Sequence, residues 1–213
     1  MEACAVENGV RRLAFGLTLV QMVRLAVLGA MAFALMFLLE VPLPPFPSYL
    51  KYDAGDVPAV FASLAMGPWG GVLVEILKDA LYLLSGKSEF GWLGVLPNLL
   101  AGLALVTVTG LTARRFPTRW GAAAGMAGGT VLMAGLLSAL NYAWFLPVFY
   151  HLPAEAVAPM VVGTILPFNL VKAGLSSGLV LLLYPRLAPV VGVPVQEGRL
   201  LWSGSLAEAR HPR

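Results

Sequence analysis

The sequence is poor in charge and in the side chains that most enzymes use for chemistry. Only 12% of its 213 residues are charged, and it contains one cysteine, Cys4, and two histidines, His151 and His211. A lone cysteine cannot form a disulfide within the chain, and no set of His, Cys and carboxylate residues has metal-site spacing. We therefore expect no disulfide-stabilised fold, no metal centre and no resident cofactor.

Motifs for nucleotide hydrolysis and proteolysis are also missing. Residues 85–88, Ser-Gly-Lys-Ser, resemble the end of a phosphate-binding loop, but that motif needs glycine where Leu81 stands. Ser138 has no histidine or lysine on its helix face, as an intramembrane serine protease would need. The sequence thus predicts a protein that is not an enzyme and does not itself hydrolyse ATP.

Apolar residues dominate what is present. They make up 59% of the chain, and the mean hydropathy is +0.82, which is typical of a membrane protein. The basic residues flank apolar segments instead of forming a stripe with aromatics, so they indicate membrane orientation and not nucleic-acid binding. We expect a cytoplasmic tail over 1–23, one membrane domain over 24–185 and a cytoplasmic tail over 186–213.

The number of spans depends on the Gly67-Pro68 pair, which either interrupts one helix or reverses the chain. If it reverses the chain, all ten arginines lie on one side and Lys51 and Lys87 on the other. The positive-inside rule favours this arrangement. The sequence therefore predicts an all-α membrane protein with six transmembrane helices and both termini in the cytoplasm. The predicted spans are 25–39, 57–66, 69–84, 92–113, 120–146 and 160–184.

The first outer loop, residues 40–56, contains four prolines and three acidic residues and cannot continue a helix. The span that follows has ten residues, which cover only about 15 Å of a hydrocarbon core about 30 Å thick. The loop must therefore dip into the protein. Because non-helical backbone at that depth has to be buried or line a water-filled cavity, we expect a cavity beneath 41–56.

Polar side chains inside the spans gather at the outer side. Depth counting places Asn98, Asn141, Asn169 and Lys172 in the outer half or near the midplane. For one asparagine, a hydrogen bond between helices is the commoner explanation, but the convergence of all four favours a shared pocket. Nearby aromatic side chains either sandwich a flat ligand or form an interfacial belt.

Two further patterns have two explanations each. Glu75, Lys78 and Asp79 share one helix face, where they either neutralise one another or take part in transport, for example as a proton relay. Small residues recur every four positions in the first span, which allows close approach either of a partner helix or of the protein's own helices. These small residues are Ala26, Ala30 and Ala34.

Several segments resemble the S components of energy-coupling-factor (ECF) vitamin transporters, in particular the riboflavin type. The resemblance covers roughly residues 20–187 and is most specific in the last of its motifs. Those motifs are Lys51-Tyr52-Asp53 through Asp56-Val57-Pro58-Ala59, Gly67-Pro68-Trp69-Gly70-Gly71-Val72-Leu73 running into Glu75 and Lys78, Asn141-Tyr142, and Pro167-Phe168-Asn169-Leu170-Val171-Lys172.

The resemblance implies a protein of the prokaryotic plasma membrane that captures riboflavin, or flavin mononucleotide, from outside, with the first loop as a lid. Asparagine amides suit the flavin ring because each offers a donor and an acceptor to its polar edge. The expected substrate contacts are Asn98, Asn141, Asn169, Lys172, Phe46, Tyr52, Asp53, Tyr142 and Trp144.

The same resemblance implies partners. The alanine stripe of the first span would dock on a transmembrane T component, which two ATPase subunits drive. Two other functions stay open: an S component for another vitamin such as thiamine or pantothenate, and a stand-alone secondary transporter. In the second case Glu75 and Asp79 would be the ion-coupling carboxylates.

Overall fold

A computed structural model describes residues 18–88, 90–149 and 151–190. Of the predicted tails 1–23 and 186–213, residues 1–17 and 191–213 lie outside this part, and so do Cys4 and His211. The helices are α1 (Leu19–Leu38), α2 (Asp56–Met66), α3 (Pro68–Leu84), α4 (Trp92–Arg115), α5 (Arg119–Leu140), α6 (Ala154–Met160) and α7 (Leu166–Val190). Two π-helical segments, Asn141–Phe149 and Val161–Ile165, extend α5 and join α6 to α7.

Helix α1 begins six residues before the predicted start at Leu25. A capping box explains the earlier start: the Thr18 hydroxyl accepts from the Gln21 N–H at 3.2 Å, and the Gln21 side chain accepts from the Thr18 N–H at 2.9 Å. Each of these bonds satisfies an N–H that the helix itself cannot use. Arg24 therefore lies inside α1, not at its edge.

The first outer loop is closed by a short antiparallel pair of strands, β1 (Val41–Pro42) and β2 (Lys51–Tyr52). The chain then turns at Gly55, where a Cβ atom would lie 2.9 Å from the Ala32 carbonyl of α1. This close approach requires glycine and brings the end of the loop against α1. The loop residue Asp53 is only 4% exposed, so the loop does dip into the protein.

The Gly67-Pro68 pair reverses the chain. Gly67 has φ 87°, a left-handed conformation that glycine adopts without strain, and Pro68 occupies the first turn of α3. Asp56 and Lys78, each 11 residues from Gly67, meet at 2.6 Å. Helices α2 and α3 therefore run antiparallel, as the arginine distribution predicted.

The chain between α5 and α7 differs from the prediction, which left residues 147–159 as a loop between the fifth and sixth spans. The π-helical segment continues to Phe149, and α6 resumes at Ala154, so the connection is much shorter. Leu146, Val157, Val161 and Ile165 form a small apolar cluster that joins the two π-helical segments and α6. Burial of these side chains offsets the loss of regular α-helical hydrogen bonding.

The main apolar core lies between α1, α2, α3, α4, α5 and α7. Helix α2 is buried on nearly every residue, from Asp56 to Leu64. Among the described residues, four helical stretches are long and apolar enough to cross a membrane: 19–38, 92–115, 119–148 and 155–184. Together with the α2–α3 hairpin, they make an all-α membrane protein.

Candidate ligand-binding site

Lys172 of α7 lies at the centre of the polar side chains beneath the loop. Its ammonium donates to Asp53 Oδ2 at 2.9 Å and to Asn98 Oδ1 at 2.8 Å, and the residue is 6% exposed. These bonds join the loop, α4 and α7 at one atom. An ammonium has three N–H donors, so one N–H remains for a ligand.

Asn98 connects Lys172 to the charged residues of α3. While its Oδ1 accepts from Lys172, its Nδ2 donates to Asp79 Oδ1 at 3.0 Å. Asp79 Oδ2 lies 3.9 Å from the Lys78 ammonium. A continuous chain of polar contacts therefore runs from Asp53 in the loop to Lys78 in the hairpin.

Lys78 is fully buried and is surrounded by carboxylates. Its ammonium lies 2.6 Å from Asp56 Oδ1 and 2.5 Å from Glu75 Oε2. Asp56 was not among the predicted charged cluster, although its distance from Gly67 mirrors that of Lys78. Residues equally far from the turn of a helical hairpin lie side by side, so the equal spacing of Asp56 and Lys78 from Gly67 could have predicted their contact.

The polar cluster, defined as Asp53, Asp56, Glu75, Lys78, Asp79, Asn98 and Lys172, therefore holds four carboxyl groups against two ammonium groups. It is not self-neutralising if all six are ionised. Asp56 Oδ2 and Glu75 Oε1 are buried without a hydrogen-bond partner. The polar cluster thus contains carboxylate oxygens without a hydrogen-bond partner, and it has more carboxyl groups than ammonium groups.

Asp53 is the member of the polar cluster that comes from the loop. Burial pushes the pKa of its carboxyl group up, but the positive charges of Lys172 and Lys78, with hydrogen bonds from Lys172 and the Gly55 N–H, more than offset burial. The net pKa therefore lies below the ordinary value, and Asp53 is ionised at neutral pH. The Gly55 N–H donates to its Oδ1 at 3.0 Å.

The two predicted amides Asn141 and Asn169 border the π-helical segments. Asn169 Nδ2 donates to the Ile165 carbonyl at 2.9 Å, and Asn141 Nδ2 donates to the Leu137 carbonyl at 2.8 Å. Neither amide hydrogen-bonds to the polar cluster or to another described helix. Their Oδ1 atoms stay available as acceptors. Single π-helical turns are frequent at functional sites, and the sequence did not reveal these two.

The structure brings together some of the predicted aromatic residues and separates others. The rings of Phe46, in the loop, and Phe168, in α7, meet edge to face with centroids 5.4 Å apart. Tyr142 is 54% exposed and Trp144 is 38% exposed, and the tilted rings of Trp144 and Phe145 have centroids 5.0 Å apart.

Tyr52 points inward beside Ser176, which lies one helical turn beyond Lys172 on the same face of α7. The Ser176 hydroxyl is close enough to influence the phenol, but neither hydroxyl makes a hydrogen bond of good geometry. Burial raises the pKa of the Tyr52 phenol, so the group stays neutral. Ser176 was not predicted as a site residue; its i+4 spacing from Lys172 was the available signal.

Comparison with known proteins places this geometry in a family. The family model described as "ECF transporter, substrate-specific component" matches residues 20–184. The chain belongs to this family. This match confirms the resemblance seen in the sequence motifs. The family consists of transporter components, so the prediction that this protein is not an enzyme is also confirmed.

Individual relatives agree with the family assignment. The riboflavin transporter FmnP of Bacillus subtilis (strain 168) is 36% identical to this S component over 176 residues, covering 79% of this chain and 92% of the relative. The riboflavin transporter RibU of Staphylococcus aureus (strain TCH60) is 32% identical over 174 residues, covering 79% and 90%. A solved structure of the S component of a bacterial ECF transporter has a TM-score of 0.68 at 29% identity, covering 80% of this chain and 96% of that one.

The alanine stripe of this S component lies away from the buried face of α1. That buried face consists of Leu25, Leu28, Gly29, Ala32 and Met36. Ala26 and Ala30 are exposed and Ala34 is half-buried. Within the part of the chain that the structure describes, Ala26 and Ala30 therefore do not pack against the protein's own helices.

Proposed function

We propose that this S component captures riboflavin at the outer face of the plasma membrane and delivers it inward with a T component and two ATPase subunits. The observation that carries the proposal is the junction at Lys172, where the first loop, α4 and α7 meet over a buried polar cluster. A site closed by a loop and lined by amides is what capture of a small, flat, polar-edged molecule requires. The riboflavin transporters among the relatives support the choice of ligand.

The distribution of charge supports a topology of six crossings with both termini in the cytoplasm. The described arginines all lie at the end of the molecule that holds Gly67: they are Arg24, Arg114, Arg115, Arg119 and Arg186. All four lysines lie nearer the end that holds the first loop. Under the positive-inside rule the arginine end faces the cytoplasm, so the loop faces outward. The described chain then forms one multi-pass membrane domain.

The chemistry of the site matches a flavin. Its ring has an apolar body and an edge on which carbonyl acceptors alternate with an N–H donor. In this proposal Lys172 donates its remaining N–H to a ligand oxygen, and Asn169 Oδ1 accepts from the ring N–H. Asn141 hydrogen-bonds to a second polar group of the ligand, and Phe46 and Phe168 contact the apolar part of the ring. Tyr142 and Trp144 contribute only if the outer end closes further over the ligand.

Equilibrium binding to the purified protein tests the substrate. We expect riboflavin to bind with sub-micromolar affinity, and the absence of binding would overturn the proposal. Replacing Asn169 with alanine should weaken binding by about 1–3 kcal/mol, which is roughly 5- to 150-fold in Kd. Ser177→Ala is a matched control on the same helix, because the Ser177 hydroxyl makes no hydrogen bond, and it should leave the affinity unchanged.

Reconstitution tests the mode of transport. Liposomes that contain this chain alone should not accumulate riboflavin, with or without a proton gradient. Liposomes that also contain the T component and both ATPase subunits should accumulate it when ATP is present. Accumulation by the chain alone, driven by a proton gradient, would instead establish the ion-coupled secondary transporter.

A further inference from the structure

The end of the molecule that holds Gly67 concentrates positive charge. All five described arginines lie there. Of the six described acidic residues, Glu75 is buried in the interior against Lys78, and the other five lie nearer the end that holds the first loop. The helices that begin at the arginine end, α1, α3 and α5, have no acidic residue in their first turns, so their partial positive charges add to those of the arginines. Within the described chain, no carboxylate neutralises this end.

Two of these arginines bracket the turn between α4 and α5. Arg115 is the last residue of α4, and Arg119 is the first residue of α5. The backbone of the turn is held tightly: the Thr118 N–H donates to the Phe116 carbonyl at 2.7 Å, and the Thr118 hydroxyl accepts from the Gly121 N–H at 3.0 Å. A Cβ atom at Gly121 would overlap the Phe116 carbonyl, so this close approach requires glycine. The two basic side chains therefore project from fixed positions on either side of the turn.

The turn lies at the level where lipid head groups meet hydrocarbon. One membrane-crossing stretch ends at Arg115 and the next begins at Arg119. The rings of Phe116 and Trp120 are 56% and 74% exposed, and exposed aromatic rings at the ends of spans are typical of this boundary. Each guanidinium lies beside the neighbouring ring, with 5.5 Å from Arg115 Cζ to the Phe116 centroid and 5.7 Å from Arg119 Cζ to the Trp120 centroid. The turn thus presents cationic and apolar groups side by side.

We infer that the α4–α5 turn is a binding site for the phosphate of an anionic phospholipid, which Arg115 and Arg119 contact. A guanidinium group binds a phosphate through two parallel N–H donors, and basic clusters at the ends of spans attract anionic head groups. The exposed rings of the turn favour lipid over an acidic protein surface, because lipid offers them an apolar neighbour beside the phosphate.

The lipid site is separate from the other proposed contacts of the molecule. Helix α1, proposed to dock on the T component, packs mainly against α2 and α3, whereas the turn joins α4 to α5, which pack extensively on each other. The turn also lies at the opposite end of α4 from Asn98 and the polar cluster. The inference therefore goes beyond the proposed function and does not depend on which ligand the protein transports.

Fluorescence quenching by brominated lipids tests the inference. The full-length chain is reconstituted into phosphatidylcholine bilayers that contain an equal minor fraction of either brominated phosphatidylglycerol or brominated phosphatidylcholine. The difference between the wild-type protein and Trp120→Phe isolates the signal of Trp120. We expect phosphatidylglycerol to be favoured at Trp120 by at least about fivefold, the factor that one basic residue near an anionic surface contributes. This preference should fall at high salt.

A matched pair of double variants locates the site. Arg115→Gln with Arg119→Gln removes both charges from the turn and should lower the preference for phosphatidylglycerol by at least about fivefold. Lys51→Gln with Lys87→Gln removes the same number of positive charges at the opposite end and should leave the preference at its wild-type value. The arginine variant should bind riboflavin with the wild-type Kd, which shows that it is folded.

Each outcome either supports the lipid site or overturns it. Equal quenching by the two lipids in the wild-type protein, or a preference that does not fall with salt, would overturn it. So would a preference that survives in the arginine variant, or one that falls equally in the lysine variant, because net charge and not the turn would then attract the lipid.

Two further outcomes separate the lipid site from other interpretations. If the arginine variant keeps its lipid preference but no longer assembles with the T component and the ATPase subunits, the turn contacts protein and the inference is wrong. If the wild-type protein favours phosphatidylglycerol but does not bind riboflavin, the lipid site stands and the proposed function fails.

Discussion

Replacing Lys78 with methionine is the sharpest test of the buried hairpin. Methionine keeps most of the volume of the side chain and removes its charge. In the wild-type protein the ammonium lies 2.6 Å from Asp56 and 2.5 Å from Glu75, with no exposure to solvent. Without it, the neighbouring carboxyl groups lose their nearest counter-charge and must either stay buried as uncompensated charges or take up protons.

The structure sets the size of the effect. Breaking a buried ion pair by removing one partner costs about 3–5 kcal/mol, because the remaining charge is left uncompensated. At about 2–4 °C per kcal/mol for a chain of this size, the unfolding midpoint should fall by roughly 6–20 °C. Lys87→Met is the matched control: Lys87 is partly exposed beside Glu40, and losing such a pair costs at most about 1 kcal/mol.

Thermal unfolding of the purified variants in detergent, followed by loss of monomer on size-exclusion chromatography, measures both changes. A double variant, Lys78→Met with Asp56→Asn, adds a second check. Because the two side chains are in direct contact, the double variant should lose less stability than the two single changes added together, by about 0.5–3 kcal/mol. A midpoint unchanged in Lys78→Met, or strictly additive losses, would refute the reasoning.

Three more predictions use other parts of the molecule. In Gly102→Ala the new methyl group would collide with a buried carboxylate of α3, so the free energy of unfolding should fall by about 1–3 kcal/mol. Gly135 has open space around it, so Gly135→Ala should leave the free energy of unfolding unchanged, and equal losses in the two variants would contradict the packing. Ala30→Leu should leave riboflavin binding unchanged and abolish ATP-driven uptake in the reconstituted transporter, whereas Val131→Leu on α5 should affect neither. Normal uptake by Ala30→Leu would exclude α1 as the helix that docks on the T component. The pKa of Asp53 lies below its ordinary value of 3.8, so its ion pair with Lys172 is complete at neutral pH and is lost only as the pH falls through the lowered pKa. The affinity for riboflavin should therefore stay constant from pH 8 to about pH 5, and a drop centred above pH 5 would contradict the assignment.

The sequence was sufficient for the features that depend on charge and on length. The arginine distribution predicted the reversal at Gly67, and the ten-residue span after the loop predicted that the loop dips inward. Depth counting placed both Asn98 and Lys172 in the outer half or near the midplane, and the structure joins them by a hydrogen bond. These inferences succeeded because the membrane restricts where charged and non-helical segments can lie.

Features that depend on side-chain geometry were harder to predict. The π-helical segments around Asn141 and before Asn169 leave no mark in hydropathy, because they arise from how two helices fit together. Depth counting suggested that these amides and Lys172 form one group, but it cannot give the rotation of each helix. By contrast, the capping box at Thr18 is visible in the sequence as Thr-x-x-Gln, and the prediction of a first span beginning at Leu25 missed it.

Helix α2 has a consequence for how the protein meets the lipid. It is the shortest of the membrane-embedded crossings, yet it is enclosed by the other helices along most of its length. A short helix in contact with lipid would force the bilayer to thin around it, but lipid does not reach α2. In the proposed function the first outer loop is the lid of the site. Because the neighbouring helices and not lipid surround α2, the backbone at the inner end of that lid would meet water or ligand and not hydrocarbon. On this proposal, access to the site does not depend on the thickness of the membrane.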